Sequence, residues 1–167
     1  MSAHTDAKTR VIIVRHGEAE AALIDDKSRQ LTDRGRNQTQ LASVEMAKFL
    51  PNQKVDVALV SPYRRAQQTF DVLSIRIAVK QRVECADITP MSSPFTARNI
   101  VLGYTETATA EQQTLLLVSH MPLVSFLTAE LAQLETPPIF STSAFAVIDI
   151  DNATARGRLL ELEQLHN

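Results

Sequence analysis

Two histidines and several arginines follow directly on apolar runs in this sequence, and their types suit the chemistry of phosphate. Arg15, His16 and Gly17 come after VIIV at 11–14. Ser61, Pro62, Tyr63, Arg64 and Arg65 come after VDVALV at 55–60, and Ser119 and His120 after TLLLV at 114–118. A weaker run ending at Cys85 is followed by Asp87. Taken singly these groups say little. A histidine after a strand is commonly a hydrogen-bonded structural residue, and an arginine pair at a helix start is commonly a solvated face. Taken together they are complementary. Arginine offers a planar, permanently charged fork that matches phosphate oxygens two at a time. A neutral imidazole is a competent nucleophile, and nearby guanidinium charges favour its neutral form. Gly17 lets the backbone come close to a bound phosphate.

Other designs fail on spacing. A Cys-x5-Arg phosphate loop starting at Cys85 needs arginine at 91, where the sequence has Met91. With four glycines in all, the chain holds neither GxxxxGK[ST] nor GxGxxG. There is no HExxH and no dense cluster of His, Asp and Cys, so no metal site is expected. Cys85, at the end of its strand, reads as a buried structural residue. His4 and His166 stand near the termini, away from the other two histidines.

The surrounding pattern supplies the elements that must position these groups. Val11–Val14 is continuous and β-branched, as in a central strand buried on both faces. Thr32 can cap a helix that runs to about Leu50, with Leu41, Val44, Ala47 and Leu50 as its apolar face and Pro51 as its stop. Val55–Val60 is a second strand, followed by a helix opened by Ser61-Pro62 with Ala66, Phe70 and Leu73 on one face. Val79–Cys85 is a third, weaker strand; Thr89–Pro94 is a loop, and a short helix covers roughly Thr96–Tyr104. Thr114–Val118 is another buried strand and Pro122–Leu134 a helix. Ala144–Ile150 and Leu159–Leu165 close the pattern, the last at an edge. Alternating strands and helices predict an α/β fold in three layers, a mostly parallel central sheet with helices on both faces. In such sheets ligands bind beyond the carboxyl ends of the strands, where the histidines and arginines would meet.

The length of 167 residues fits one domain, expected over 11–167 after a disordered tail at 1–10. A net charge of −2 argues against a nucleic-acid partner, and no run is long enough for a membrane span. The polar N-terminus and the single cysteine fit a cytoplasmic protein, expected to be a monomer.

These residues resemble the histidine phosphatase superfamily, with its phosphoglycerate mutase-like fold. RHG at 15–17 matches the family signature. SPYRRAQQT at 61–69 resembles its Ser-x-x-x-Arg-Ala-x-x-Thr element, SHMP at 119–122 its second-histidine motif, and LTDRG at 31–35 a further element. The likeness extends over roughly residues 11–150 and is nearest to the SixA-type phosphohistidine phosphatases, through VIIVRHGEAE, LLLVSHMPLVSFLTAEL and ETPPIFSTSA. The doubled Arg64-Arg65 and the length of the tail depart from that pattern. The resemblance implies a phosphohistidine intermediate on His16, with Arg15, Arg65, His120 and Gly17 binding the phosphate and no metal or organic cofactor. It implies that Arg65, not Arg64, holds the motif position. Many members use a carboxylate after the third strand as acid; Asp87 fits that place best, with Glu84 and Glu18 as alternatives. SixA-type proteins take phosphate from a histidine on phosphotransfer (HPt) domains of histidine-kinase relays, so an HPt domain is the expected partner.

The length between motifs agrees with a protein substrate. Only 54 residues separate Arg65 from His120, too few for a lid domain, which makes this a minimal version of the fold. An open, shallow site suits a phosphorylated side chain presented by another protein better than a small sugar phosphate, which needs enclosure for affinity.

Overall fold

The computed structural model describes residues 6–165, so His4 and His166 lie outside the described residues. Six strands form one sheet: β1 (Lys8–Arg15), β2 (Lys54–Val60), β3 (Ala78–Glu84), β4 (Gln112–Ser119), β5 (Phe145–Asp151) and β6 (Gly157–Glu163). Their order is β3-β2-β4-β1-β5-β6. β1 pairs parallel with β4, and β2 pairs parallel with both β3 and β4; β5 runs antiparallel to β1 and to β6. Four helices cover the sheet: α1 (Asp33–Ala47), α2 (Arg64–Arg76), α3 (Pro94–Thr107) and α4 (Leu123–Ala132).

The central strands are apolar throughout because both of their faces are covered. Val11 and Ile13 of β1 join Leu115 and Leu117 of β4 in a core beneath α3 and α4. Ile12 and Val14, with Leu116 and Val118, join a second core beneath α1 and α2. Every one of these eight side chains is fully buried. At roughly 1.5–3 kcal/mol for each large apolar side chain buried, this centre dominates the stability of the domain. β3, at the sheet edge, is exposed except at the half-buried Val79 and Val83, which is why its sequence signal is weak.

Two expectations need correction. The tail expected at 1–10 does not hold for its last three residues: Lys8, Thr9 and Arg10 belong to β1, opposite Gln112, Gln113 and Thr114 of β4. Their polar side chains conceal the strand, but those of Thr9 and Arg10 have partners on neighbouring segments. Thr9 is fully buried and donates its hydroxyl to Asn152 Oδ1 at 2.7 Å. Arg10 forks onto both carboxylate oxygens of Asp149 at 2.8 Å. The buried face of α1 also differs. Leu41 and Val44 point to solvent, and Gly35, Gln38, Thr39, Ala42, Ser43 and Met46 face inward. Thr39 Oγ1 donates to Gly35 O at 2.8 Å and lies 3.0 Å from Ser143 Oγ, so hydrogen bonds inside the protein satisfy a polar face that looks solvated in sequence.

The remaining elements follow local chemistry. Thr32 caps α1, its Oγ1 accepting from the Gly35 amide at 2.9 Å, worth about 1 kcal/mol. α2 starts at Arg64, two residues after Pro62, and Ser93 caps a longer α3 that carries Gly103 in its interior. Among the described residues no helix is long and apolar enough to cross a membrane.

Candidate active site

The carboxyl ends of β1, β2 and β4 are tied together by backbone hydrogen bonds, and the chemistry-bearing residues stand just past these ties. The His16 amide donates to Ser119 O at 3.0 Å, and the Ser61 amide to Val118 O at 3.1 Å. The Ser143 amide lies 3.1 Å from the carbonyls of both Arg15 and His16, fixing the first strand's exit from the other side. Gly17 follows at a point with no room for a side chain: a Cβ there would come within 2.6 Å of Gly35 O and 2.8 Å of Thr39 Oγ1. Its amide donates to Thr69 Oγ1 at 3.0 Å, which joins the first motif to α2.

His16 is buried, and its two ring nitrogens have different partners. Nδ1 is 2.7 Å from Gly17 O, a carbonyl that can only accept, so Nδ1 carries the proton. Nε2 therefore holds an unshared pair, which accepts from Nε of Arg65 at 3.2 Å. Burial, with the charges of Arg65, Arg15 and Arg29 against the opposing Gly17 contact, lowers the His16 pKa to about 4. The ring is neutral at physiological pH, with its lone pair directed toward a guanidinium group.

The arginines are held by acceptors that leave part of each fork to the pocket. Arg15 donates from Nη1 to Phe140 O at 2.7 Å, and its buried Nε has no partner among the described residues. Arg65 is 4% exposed; its Nη1 donates to Asp26 O at 2.7 Å and its Nη2 to Asp26 Oδ2 at 3.2 Å. Its guanidinium carbon lies 4.9 Å from the centre of the Tyr63 ring. Arg64, by contrast, is exposed, and only its backbone amide, donating to Lys27 O at 3.0 Å, contacts the site loop.

His120 completes the cluster. Its ring centre is 5.2 Å from that of His16 and 5.0 Å from that of Tyr63. Nε2 is 2.7 Å from Ser61 Oγ, and the buried Nδ1 has no partner among the described residues. Burial first, then the neighbouring His16 and Arg65, lowers its pKa to about 2. The unpartnered Arg15 Nε and His120 Nδ1 accompany the His16 lone pair. That arrangement suits an anion with several acceptor oxygens around an electrophilic centre.

The carboxylates behave differently from one another. Asp87 is exposed on a single turn at Ala86–Ile88, and no hydrogen bond or ion pair joins it to His16, Arg15, Arg65 or His120. Glu84 accepts from Gln67 Nε2 at 2.8 Å. Glu18 accepts from Thr32 Oγ1 at 3.2 Å and pairs with Arg34 at 3.1 Å, fastening the start of α1. Sequence reasoning missed Asp26 and Arg29. Arg29 donates to Asp26 Oδ1 at 2.9 Å, so one carboxylate bridges Arg29 and Arg65. Both lie in a polar loop where nothing in the sequence separates Asp26 from Asp25. Among the described residues no group of three or more His, Cys, Asp or Glu side chains is arranged to hold a metal ion.

A sheet of this order with two buried histidines, the buried Arg65 and the half-buried Arg15 at its carboxyl edge defines a phosphoryl-transfer α/β fold. The chain belongs to the histidine phosphatase superfamily: the profile of its branch 1 matches residues 11–86. Over 147 residues the chain is 36% identical to phosphohistidine phosphatase SixA of Escherichia coli strain K12, covering 86% of this chain and 87% of that protein. A SixA homolog of Haemophilus influenzae is 33% identical over 142 residues, covering 81% and 85%. The solved structure of the protein histidine phosphatase SixA complexed with tungstate superposes with a TM-score of 0.83 at 29% identity, covering 93% of this chain and 96% of that one. The α/β fold and the family expected from the motifs are those found.

Proposed function

We propose that this chain is a phosphohistidine phosphatase that removes phosphate from a histidine on the HPt domain of a histidine-kinase relay. One observation carries the reading: the His16 ring is neutral, with Nδ1–H on Gly17 O and the Nε2 lone pair among Arg15, Arg65 and His120. The kinship to SixA proteins supports phosphohistidine as the substrate group.

In the first step Nε2 of His16 attacks phosphorus, a P–N bond forms on His16, and the P–N bond of the substrate breaks. The substrate imidazole leaves with the electron pair and takes up one proton. In the second step water attacks phosphorus, the P–N bond on His16 breaks, and inorganic phosphate leaves as the free His16 is restored. Arg15, Arg65 and His120 hold the phosphoryl oxygens, where charge is neutralised during transfer; Gly17, expected to bind phosphate as well, instead commits its amide to Thr69 and its carbonyl to His16. Imidazole leaves readily, so the demand on an acid is small; Asp87, in the turn after β3, serves as the donor for the departing ring.

The surface around this edge fits a protein substrate. Leu23 and Ile24 are 89% and 92% exposed, Met91 86%, Phe95 60% and Ile139 76%. These are five of the nine large apolar side chains exposed among the described residues, and all five lie in segments that leave or reach the strand ends near the site. Ile24 is two residues from Asp26, which touches Arg65, and Ile139 precedes Phe140, whose carbonyl holds Arg15. A small phosphate ester gains nothing from such a rim, whereas a docked protein buries it.

The test is direct. Mixed with an HPt domain phosphorylated on histidine, the protein releases inorganic phosphate, and His16→Ala does not. If a small phosphate ester is preferred by a large factor in kcat/KM, the substrate reading fails.

A further inference from the structure

Ser61 is fully buried, and its hydroxyl has three possible roles to fill. Oγ accepts from the Tyr63 amide at 3.3 Å and lies 2.7 Å from Nε2 of His120. Among the described residues the hydroxyl proton has one acceptor within reach, and it is that imidazole nitrogen. Were Nε2 protonated instead, it would donate to Ser61, and the serine proton would be left buried without a partner, a cost of about 1–3 kcal/mol.

We infer that Ser61 is a positioning residue for this reaction: its hydroxyl donates to Nε2 of His120, fixing the neutral ring with its proton on Nδ1, the nitrogen that faces the transferring phosphoryl group. The inference rests on the phosphatase reading for its role but not for its geometry. A neutral imidazole carries one proton, and the ring is neutral here because burial and the adjacent cations exclude charge. With the proton on Nδ1, the buried and otherwise unpartnered atom becomes a hydrogen-bond donor to a phosphoryl oxygen. With the opposite tautomer, the same atom would present a lone pair to an anion and repel it. A hydroxyl behind the ring thus sets the sign of the interaction in front of it, as an outer partner sets the tautomer of a metal-bound histidine.

The arrangement explains why serine, and not an acceptor-only residue, stands after β2. Asp at 61 would require Nε2–H and reverse the tautomer. Ala would leave both tautomers open and Nε2 without a partner in a buried place.

The tautomer is measured on the free protein by long-range ¹H–¹⁵N correlation spectroscopy of the imidazoles, with His120 assigned through His120→Asn. Nδ1 of His120 is expected in the protonated range and Nε2 in the unprotonated range, and orthovanadate should shift the Nδ1 signal most. Ser61→Ala should mix the tautomers and lower kcat about 10- to 100-fold, with KM changed little, because the donor is strongest when charge develops. Ser61→Thr, which keeps the hydroxyl, should retain the parent tautomer and most of the rate. Protonation of His120 at Nε2 in the parent overturns the inference, as does an unchanged tautomer and kcat in a folded Ser61→Ala. Loss of all phosphatase activity in a parent whose Nδ1–H is observed would overturn the function and leave the tautomer standing.

Discussion

Nε of Arg65 donates to Nε2 of His16 across 3.2 Å, although 49 positions separate them in the chain. The contact joins the start of α2 to the end of β1 and settles where the His16 lone pair points. In the proposed reaction this donor turns to a phosphoryl oxygen, since Nε2 then makes its bond to phosphorus, and Arg65 acts on both partners. Arg65→Lys keeps the charge but loses the fork and the Nε donor. We expect kcat/KM on the phosphorylated HPt domain to fall about 100-fold, equivalent to roughly 3 kcal/mol of transition-state stabilisation. Steady-state kinetics check this; a loss below fivefold would mean that charge alone suffices.

Asp26 orients that arginine from behind. Its carbonyl and carboxylate take the two terminal nitrogens of Arg65, and its other carboxylate oxygen takes Arg29. The two cations hold the Asp26 pKa down, Arg29 chiefly by hydrogen bonding, so this carboxylate stays ionised and is no proton donor at neutral pH. Asp26→Asn is expected to lower kcat/KM about tenfold. Its effect on stability should be within about 0.5 kcal/mol, because the carboxylate is half exposed and screened. Denaturant unfolding beside kinetics separates the two effects.

The fold and the clustering of the candidate groups were readable because both rest on features local in sequence. Unbroken apolar runs announce the central strands, and the residues just past them are the ones the sheet brings together: Arg15, His16, Ser61, Arg65 and His120. The supporting residues were not readable because their roles depend on pairing across long separations. Thr9 looks like tail until Asn152 is seen beside it, 143 positions away. Gln38 looks solvated but is 5% exposed, with its Oε1 accepting from Thr142 Oγ1 at 3.0 Å. Asp26 and Asp25 are alike in sequence, and only the loop's path distinguishes the one that reaches Arg65.

Gly17 tests the packing beneath the site. A methyl group there meets the Gly35 carbonyl, which is backbone inside α1 and yields little. Gly17→Ala should destabilise the domain by about 1–3 kcal/mol, a fall in Tm of several degrees at this size. Calorimetry would show it, and an unchanged Tm would mean that α1 moves freely against β1.

The two histidines give the site a definite pH response. The His16 pKa is lowered to about 4, below the value of about 6.5 for an unfolded histidine. The unfolded chain therefore binds protons first as pH falls, and stability drops from about 6.5 downward until the folded ring also titrates near 4. His16 alone accounts for about 3 kcal/mol over that window, and His120, lowered to about 2, adds in the same direction. Above about pH 8 neither histidine contributes appreciable slope. His16 imidazole resonances should titrate near 4, and His16→Asn should flatten the loss of stability between pH 6.5 and 4. Titration near 6.5 would mean the ring is far more solvated than its burial implies.

Leu23 and Ile24 separate recognition of a protein from recognition of phosphate. Both are almost fully exposed, so replacing them leaves the core untouched. Neither reaches the reacting groups; the loop's contact to Arg65 is made by Asp26. If the apolar rim docks the partner, the double variant Leu23→Ser, Ile24→Ser raises KM for the phosphorylated HPt domain about tenfold, roughly 1.4 kcal/mol, with kcat nearly constant. The rate on a small phosphoramidate should not change, since that substrate is too short to touch the rim. An equal loss on both substrates would mean that the loop supports Asp26 and Arg65 rather than the partner. An equal KM on the HPt domain would place docking elsewhere on the strand-end surface.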